Sequence, residues 1–342
     1  MWGESNAVVF SNSVLGARTE KYADYFDICA AITGLVPKAG VHLDENRMPS
    51  IIIDVTDFIK THLLEEFQGE TIDDESFVYR SGIDSFFPTM GWLSGNLSDG
   101  CIPLILGFDL LPEPLVSRDN LKAFSAAFGT TGTSPLFHMA HTTPEAMGSD
   151  VIDQMIDSCG EMRIEVTKEA FVQAYMMLDS GRESGDDISL ISLGNPHLSI
   201  EELKNLCDII SLDDRPKHEH VKVIATLGRH VQAKGDQLGY TKRLEEFGVQ
   251  FINDTCWCML LDPPIVPSST TPSAKIMTNS GKYAHYGPGL TNCNIRFGSM
   301  YQCIEAAKNG KLKSDGGISS RLGWMRHFST HTMIRNMRRI IK

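Results

Sequence analysis

Nowhere in the 342 residues does an apolar run approach the roughly eighteen needed to cross a membrane. The longest, Cys256–Leu261, has only the length of a core strand. The opening MWGESNAVVF has neither a basic n-region nor a long apolar segment, so no signal peptide is read and the expected compartment is the cytosol. Positive charge is also scarce. A net charge of −12 disfavours nucleic acid and anionic membrane as partners. No glycine-lysine pair is followed by Ser or Thr, which excludes a Walker loop. Zinc is disfavoured because C-x-x-C is absent and the one H-x-x-x-H pair, His327 and His331, has no cysteine nearby. Internal repeats are absent, and low complexity is confined to PPIVPSSTTPS at 263–273.

What is present is an ordinary globular composition, 42% hydrophobic and 22% charged, in a chain long enough for several packed domains. Charge is uneven: residues 311–342 hold eight Lys or Arg against one acid, Asp315. That tail is expected to be a disordered basic extension, with a short amphipathic helix as the alternative. Eight cysteines in a chain of this size need no disulfides, so free thiols are expected, most of them buried. Cys29, Cys159 and Cys207 read as thiols packed in helices. Cys256, Cys258, Cys293 and Cys303, by contrast, crowd into one stretch.

Strand, loop and helix alternate, which predicts an α/β fold with mainly parallel sheets. In DISLISLGNP a buried strand ends at Gly-Asn-Pro, and Ser199 with Glu202 forms a capping box for the next helix. Strands follow at 221–226, 249–252, 274–278 and 294–298, with Gly248 stopping a helix between the first two. Ser299 and Gln302 open a last helix with a second capping box. Earlier, 101–109 and 134–140 flank a helix near 121–128, and 162–178 adds a strand and a helix. A strand is also expected in ESNAVVF, running into Asn12-Ser13. The expected domains are 1–75, 76–185 and 186–310, before the tail.

Three consecutive strands, ending near Asn253, Thr278 and Gly298, deliver polar or cysteine-rich residues at their C-terminal ends, the edge where open α/β sheets bind ligands. Cys303 falls early in its helix, where the dipole is expected to lower its pKa. Cys256 ends a strand on the same edge, and thiolates converging from separate loops suit an iron-sulfur cluster; ordinary buried thiols are the alternative. NSGKYAHYGPGL (Asn279–Leu290) reads as a glycine-rich loop with Lys282 as point charge, suited to a carboxylate or a phosphate. Arg18, after Asn12-Ser13, offers a guanidinium for a carboxylate or for a surface ion pair. His138 and His197 are acid-base candidates, or satisfied structural histidines.

Taken together, SNSVLGART (Ser11–Thr19), AITGLVP (Ala31–Pro37), HLDENR (His42–Arg47), LFHMAHTTPEA (Leu136–Ala146), LGNPHLS (Leu193–Ser199), NDTCWCM (Asn253–Met259), MTNSGKYAHYGPGL (Met277–Leu290) and FGSMYQCIEAA (Phe297–Ala307) resemble the catalytic large subunit of aconitase X. The resemblance spans Glu4 to about Gly310. It implies several α/β/α domains around a cleft and dehydration of a small anionic hydroxy acid. The substrate implied first is cis-3-hydroxy-L-proline, because no second cationic phosphate clamp is visible, and next mevalonate 5-phosphate. It further implies a 2Fe-2S or 4Fe-4S cluster on three cysteines, with Cys256 and Cys303 as ligands. Asn12, Ser13, Arg18, Ser280 and Lys282 are the implied substrate contacts, and a small swivelling subunit, separate or fused, the implied partner. In the family a segment preceding SNA supplies the third cysteine. The chain is therefore expected to be N-terminally truncated, with an inactive, partner-binding relative as the alternative function.

Overall fold

The computed structural model describes residues 4–23, 25–64, 82–255, 275–312, 322 and 325. They fall into two compact units, residues 1–64 with 87–171 and residues 65–86 with 172–342. Among the described residues no helix is long and apolar enough to span a membrane.

The first unit is built on four parallel strands, β1 (Ile51–Asp54), β2 (Pro103–Leu106), β3 (His138–Met139) and β4 (Arg163–Glu165), in the order β3-β2-β1-β4. Central β1 is a run of three isoleucines, each at most 3% exposed, as a parallel strand covered on both faces requires. Its helices are α1 (Ser5–Ser13), α2 (Phe26–Thr33), α3 (Thr56–Ile59), α4 (Phe86–Leu97), α5 (Arg118–Thr131), α6 (Ser149–Cys159) and α7 (Lys168–Leu178). The last residues of α7 and the first of α4 belong to the second unit. Edge-to-face rings fill the core: Phe137 lies 4.9 Å from Phe124 and 5.3 Å from Phe128 between centroids.

One expected strand is a helix. Residues 5–13 form α1, which buries Val8, Val9 and Asn12 against α5. The β-branched pair Val8-Val9 favours a strand locally, but packing overrides propensity. Gly129 of α5 lies at this contact, where a Cβ would stand 3.4 Å from the Asn6 backbone, an ordinary packing distance.

In the second unit five parallel strands, β5 (Leu190–Leu198), β6 (Lys222–Leu227), β7 (Val249–Asn253), β8 (Lys275–Thr278) and β9 (Asn294–Phe297), run in the order β7-β6-β5-β8-β9. Between and after them come α8 (Ile200–Ile210), α9 (Arg229–Leu238), α10 (Tyr240–Phe247), α11 (Gly281–Thr291) and α12 (Met300–Asn309). Both expected capping boxes form: Ser199 with Glu202 opens α8, and Ser299 with Gln302 opens α12. Gly248, left-handed at φ 103°, ends α10 as expected. Inside this unit, Asp179 and Arg296 make a buried ion pair of 2.9 Å, with side-chain exposures of 0% and 3%. The α/β class with parallel sheets is thus what the chain adopts.

Candidate functional site

In each sheet the first strand lies inside the order, with later strands laid on one side and then on the other. In open α/β sheets the C-terminal ends of the two strands flanking such a reversal are where the connections diverge and ligands bind. In the second unit the flanking strands are β5 and β8, whose last register pair is Ser192 with Thr278. Directly beyond this pair lie the Gly-Asn-Pro-His and Asn-Ser-Gly-Lys segments.

Gly194 starts the departure of β5 from the sheet. Its φ is +87°, and a Cβ would meet the Thr226 carbonyl at 2.2 Å, so only glycine can pass β6 so closely. From the neighbouring strand, the Ser280 hydroxyl donates to the Asn195 carbonyl. The same oxygen accepts the Tyr283 amide at 3.0 Å, and the Ser280 amide donates to Thr278 Oγ1 at 3.1 Å. Ser280 is therefore an N-cap and a tie between two strand ends.

The expected glycine-rich loop is mostly helix, because Ser280 caps α11 and the chain continues helically past Pro288 to Thr291. Lys282 stands in the first turn, half-buried. A helix N-terminus with an adjacent lysine is suited to an anion. His197 Nε2 donates to the Thr255 carbonyl at 2.9 Å and so fixes the residue just before Cys256.

Cys256 itself lies outside the described residues. Cys303 occupies the fourth position of α12, its amide bonded to the Ser299 carbonyl at 3.0 Å, and it is fully buried. Its thiol pKa is raised well above the ordinary value, by burial first and then by the nearby Asp84 carboxylate. The lowered pKa expected from the helix terminus is thus not found. Desolvation outweighs the dipole, and Asp84 adds negative charge beside the sulfur.

Asp84 is a residue the sequence gave no reason to single out. Its Oδ2 accepts the Met300 amide at 2.8 Å, which anchors the first turn of α12. Burial pushes its pKa up to about 7, aided by Glu202 and opposed by the Met300 hydrogen bond. Oδ1 has no hydrogen-bond partner among the described residues.

In the first unit Asn12 and Ser13 are buried and occupied. Asn12 grips Thr19 from both sides, Nδ2 donating to its carbonyl at 2.8 Å and Oδ1 accepting its amide at 2.9 Å. Ser13 Oγ accepts the Phe137 amide at 2.8 Å. The Asn12 clamp fixes the residue next to Arg18. Arg18, 39% exposed at its side chain, pairs with Asp44 at 2.7 Å and Glu145 at 2.6 Å.

Arg47, only 3% exposed, also engages Glu145, its Nε donating at 2.9 Å. Burial works to raise the Glu145 pKa, yet Arg47 and Arg18 hold it below the ordinary carboxylate value. His138, 1% exposed, donates to the Arg47 carbonyl at 2.7 Å, and burial depresses its pKa. It is the satisfied structural histidine of the two alternatives. Arg47 and Glu145 both sit in stretches the sequence had singled out, HLDENR and LFHMAHTTPEA, but only the fold joins them.

All six described cysteines are free. Cys159 and Cys207 are buried in helices as expected, whereas Cys29 is exposed on α2, whose residues are all at least partly accessible. Among the described residues no three His, Cys, Asp or Glu side chains gather to hold a metal ion. One buried thiol does not make a three-thiolate cluster site.

Three family models match the chain in order: the aconitase X first domain over residues 1–45, the second over 49–176 and the third over 188–309. A cis-3-hydroxy-L-proline dehydratase of Hypocrea jecorina is 42% identical over 322 residues, covering 93% of this chain and 49% of that protein. A phosphomevalonate dehydratase large subunit of Methanocaldococcus jannaschii is 31% identical over 304 residues, covering 89% of this chain and 66% of the relative. Among solved structures, the holo-form of Thermococcus kodakaraensis aconitase X matches with a TM-score of 0.66 at 27% identity, covering 89% of this chain and 67% of that one. The chain thus spans about half the length of the hydroxyproline dehydratase it matches.

Proposed function

Because the chain belongs to the aconitase X family, we propose that it contributes the substrate-holding domains of a hydro-lyase that dehydrates a small hydroxy acid. The observation that carries this is the junction of two strand ends in the second unit, where Ser280 ties β8 to β5 and Lys282 opens α11. There the helix N-terminus and the lysine would hold the carboxylate of the substrate, the charge such an acid keeps throughout the reaction. In the first unit an anion-binding role is proposed for Arg18, with Asn12 and Ser13 holding its loop in place.

The substrate proposed first is cis-3-hydroxy-L-proline, which would lose a ring proton and its hydroxyl as water to give a pyrroline carboxylate. Identity of 42% to a dehydratase of that name, against 31% to the phosphomevalonate relative, supports this order. A small subunit is the proposed partner, since the second relative is named a large subunit.

An iron-sulfur cluster, 2Fe-2S or 4Fe-4S, belongs to the same reading. Cys303, together with Cys256 outside the described residues, is proposed to provide two of its ligands. When bound, it would supply a Lewis acid for the leaving hydroxyl. The described residues do not by themselves assemble such a site.

The test is anaerobic co-purification with the small-subunit partner, then iron and sulfide analysis and assay on both candidate substrates. The expected result is iron in the complex and turnover of cis-3-hydroxy-L-proline ahead of mevalonate 5-phosphate. A complex free of iron sinks the cluster, and one that turns over neither acid sinks the function.

A further inference from the structure

Around α2 the first unit presents apolar surface that nothing among the described residues covers. The helix has no buried residue. Tyr25 is 79% exposed, Ile28 51%, Ile32 80%, Leu35 73% and Val36 55%. Ile28, Cys29 and Ile32 share one helix face, since positions one turn apart lie above one another. Large apolar side chains this open and this close together mark an interaction surface.

The segment is held from behind. Tyr22 stacks on Phe26 with ring centroids 4.7 Å apart, and its hydroxyl is hydrogen-bonded to His42 Nε2. Glu20 Oε2 accepts the Val41 amide at 3.0 Å and so closes the loop that carries α2. Thr33 Oγ1 donates to the Cys29 carbonyl at 2.8 Å, and Gly34, left-handed at φ 69°, ends the helix. A face preformed in this way binds with little ordering cost.

Two charges frame the stripe. Asp27 stands in the first turn of α2 and Lys38 beyond its end, and neither has an ion-pair partner among the described residues. The face is thus acidic at one end, basic at the other and neutral in sum. Two copies laid antiparallel across Ile32 set acid against base twice, whereas a parallel alignment sets like charges together. The five open side chains offer on the order of 600 Å² each copy, or roughly 1,200 Å² for a pair, the lower bound of a specific interface. A convex helix face does not enclose a small ligand, and a neutral one has no pull on nucleic acid.

We propose that this face is a self-association surface, joining two copies of the chain about a two-fold axis with their α2 helices antiparallel. Ile32 of each copy packs on the apolar stripe of the other, and Asp27 of one faces Lys38 of the other. No residue of this face belongs to the proposed substrate or cluster sites, so the proposal stands whether or not the dehydratase reading does.

The test is sedimentation equilibrium of the full chain. An interface of this size is expected to give a dissociation constant of about 1–100 µM. I32D, at a position 80% exposed in the single copy, should leave the monomer folded by circular dichroism and weaken the dimer about tenfold or more. D27K and K38D should each weaken it, and D27K/K38D should restore it, because reversing both charges keeps acid against base. A monomer throughout that concentration range would overturn the proposal, as would a dimer that I32D leaves intact. A double reversal that dimerises no better than either single variant would overturn the antiparallel pairing. Should the chain stay monomeric and I32D abolish only its capture of the small-subunit partner, the face belongs to that partner and the proposal also fails.

Discussion

The Ser280 hydroxyl donates to the carbonyl of Asn195, 85 residues earlier in the chain, and so locks the end of β8 to the end of β5. The same oxygen caps α11. S280A should therefore lose a cap and leave a buried carbonyl without its donor. An expected loss of about 2 kcal/mol combines the usual worth of an N-cap with that of one hydrogen bond. Urea unfolding of the parent and variant measures it, and a difference of only a few tenths would show that the tie contributes nothing.

R296M should be among the most damaging single changes in the second unit. It removes the charged partner of Asp179, a carboxylate that is itself 0% exposed and keeps the Phe297 amide as a donor. An uncompensated buried charge costs about 3–5 kcal/mol. The companion D179L/R296M removes both charges and should recover part of that loss. Strict additivity of the single-variant effects of D179L and R296M would contradict a coupled pair.

Asp84 gives stability a pH dependence of a particular sign. Its pKa is raised to about 7 in the folded chain, chiefly by burial. Unfolded aspartate titrates near about 4, so between those values the folded state holds more protons than the unfolded one. This contribution to stability is full at low pH and falls as pH rises through that window. Relative to D84N, which keeps an acceptor for the Met300 amide, the parent should lose on the order of a few kcal/mol between about pH 4 and pH 8. Denaturant titrations across that range provide the comparison, and parallel pH profiles would count against it.

Two buried cysteines should respond differently to substitution. Cys207 has its thiol pKa pushed up to about 11 by burial and lies within α8, with Sγ 3.6 Å from the Tyr240 carbonyl. C207A should cost about 1–2 kcal/mol of packing and leave the iron content of the complex unchanged. C303S should deplete iron and sulfide from the same complex. Equal iron in both variants would remove Cys303 from the proposed ligand set.

The elements legible in the sequence are those specified by residues close together in the chain. The Ser199–Glu202 and Ser299–Gln302 boxes are four-residue signals, and both helices start where they indicate. The strands of the second sheet are equally local patterns. Misread segments are those whose conformation depends on distant partners. Residues 5–13 are helical because of α5, more than a hundred residues away, and 281–291 are helical despite three glycines and Pro288.

At the candidate site the same division holds. Ser280 and Lys282 could be chosen from their setting after a strand. Asp84 could not, since its contact with Met300 spans 216 residues and no local pattern marks it. The low Cys303 pKa expected from helix position failed for a related reason: sequence shows the dipole but not the depth of burial.

The parallel pairing of every described strand also bears on how the chain reaches its fold. Ile52 of β1 must find Arg163 of β4, and no hairpin can bring them together because parallel neighbours need long crossovers. Contacts this distant in sequence are bought with loop-closure entropy before they return any stability, so folding should be slow beside that of helical proteins of similar size. During that interval isoleucine-rich β1 stands as an unpaired apolar strand, and recovery from denaturant should fall as protein concentration rises.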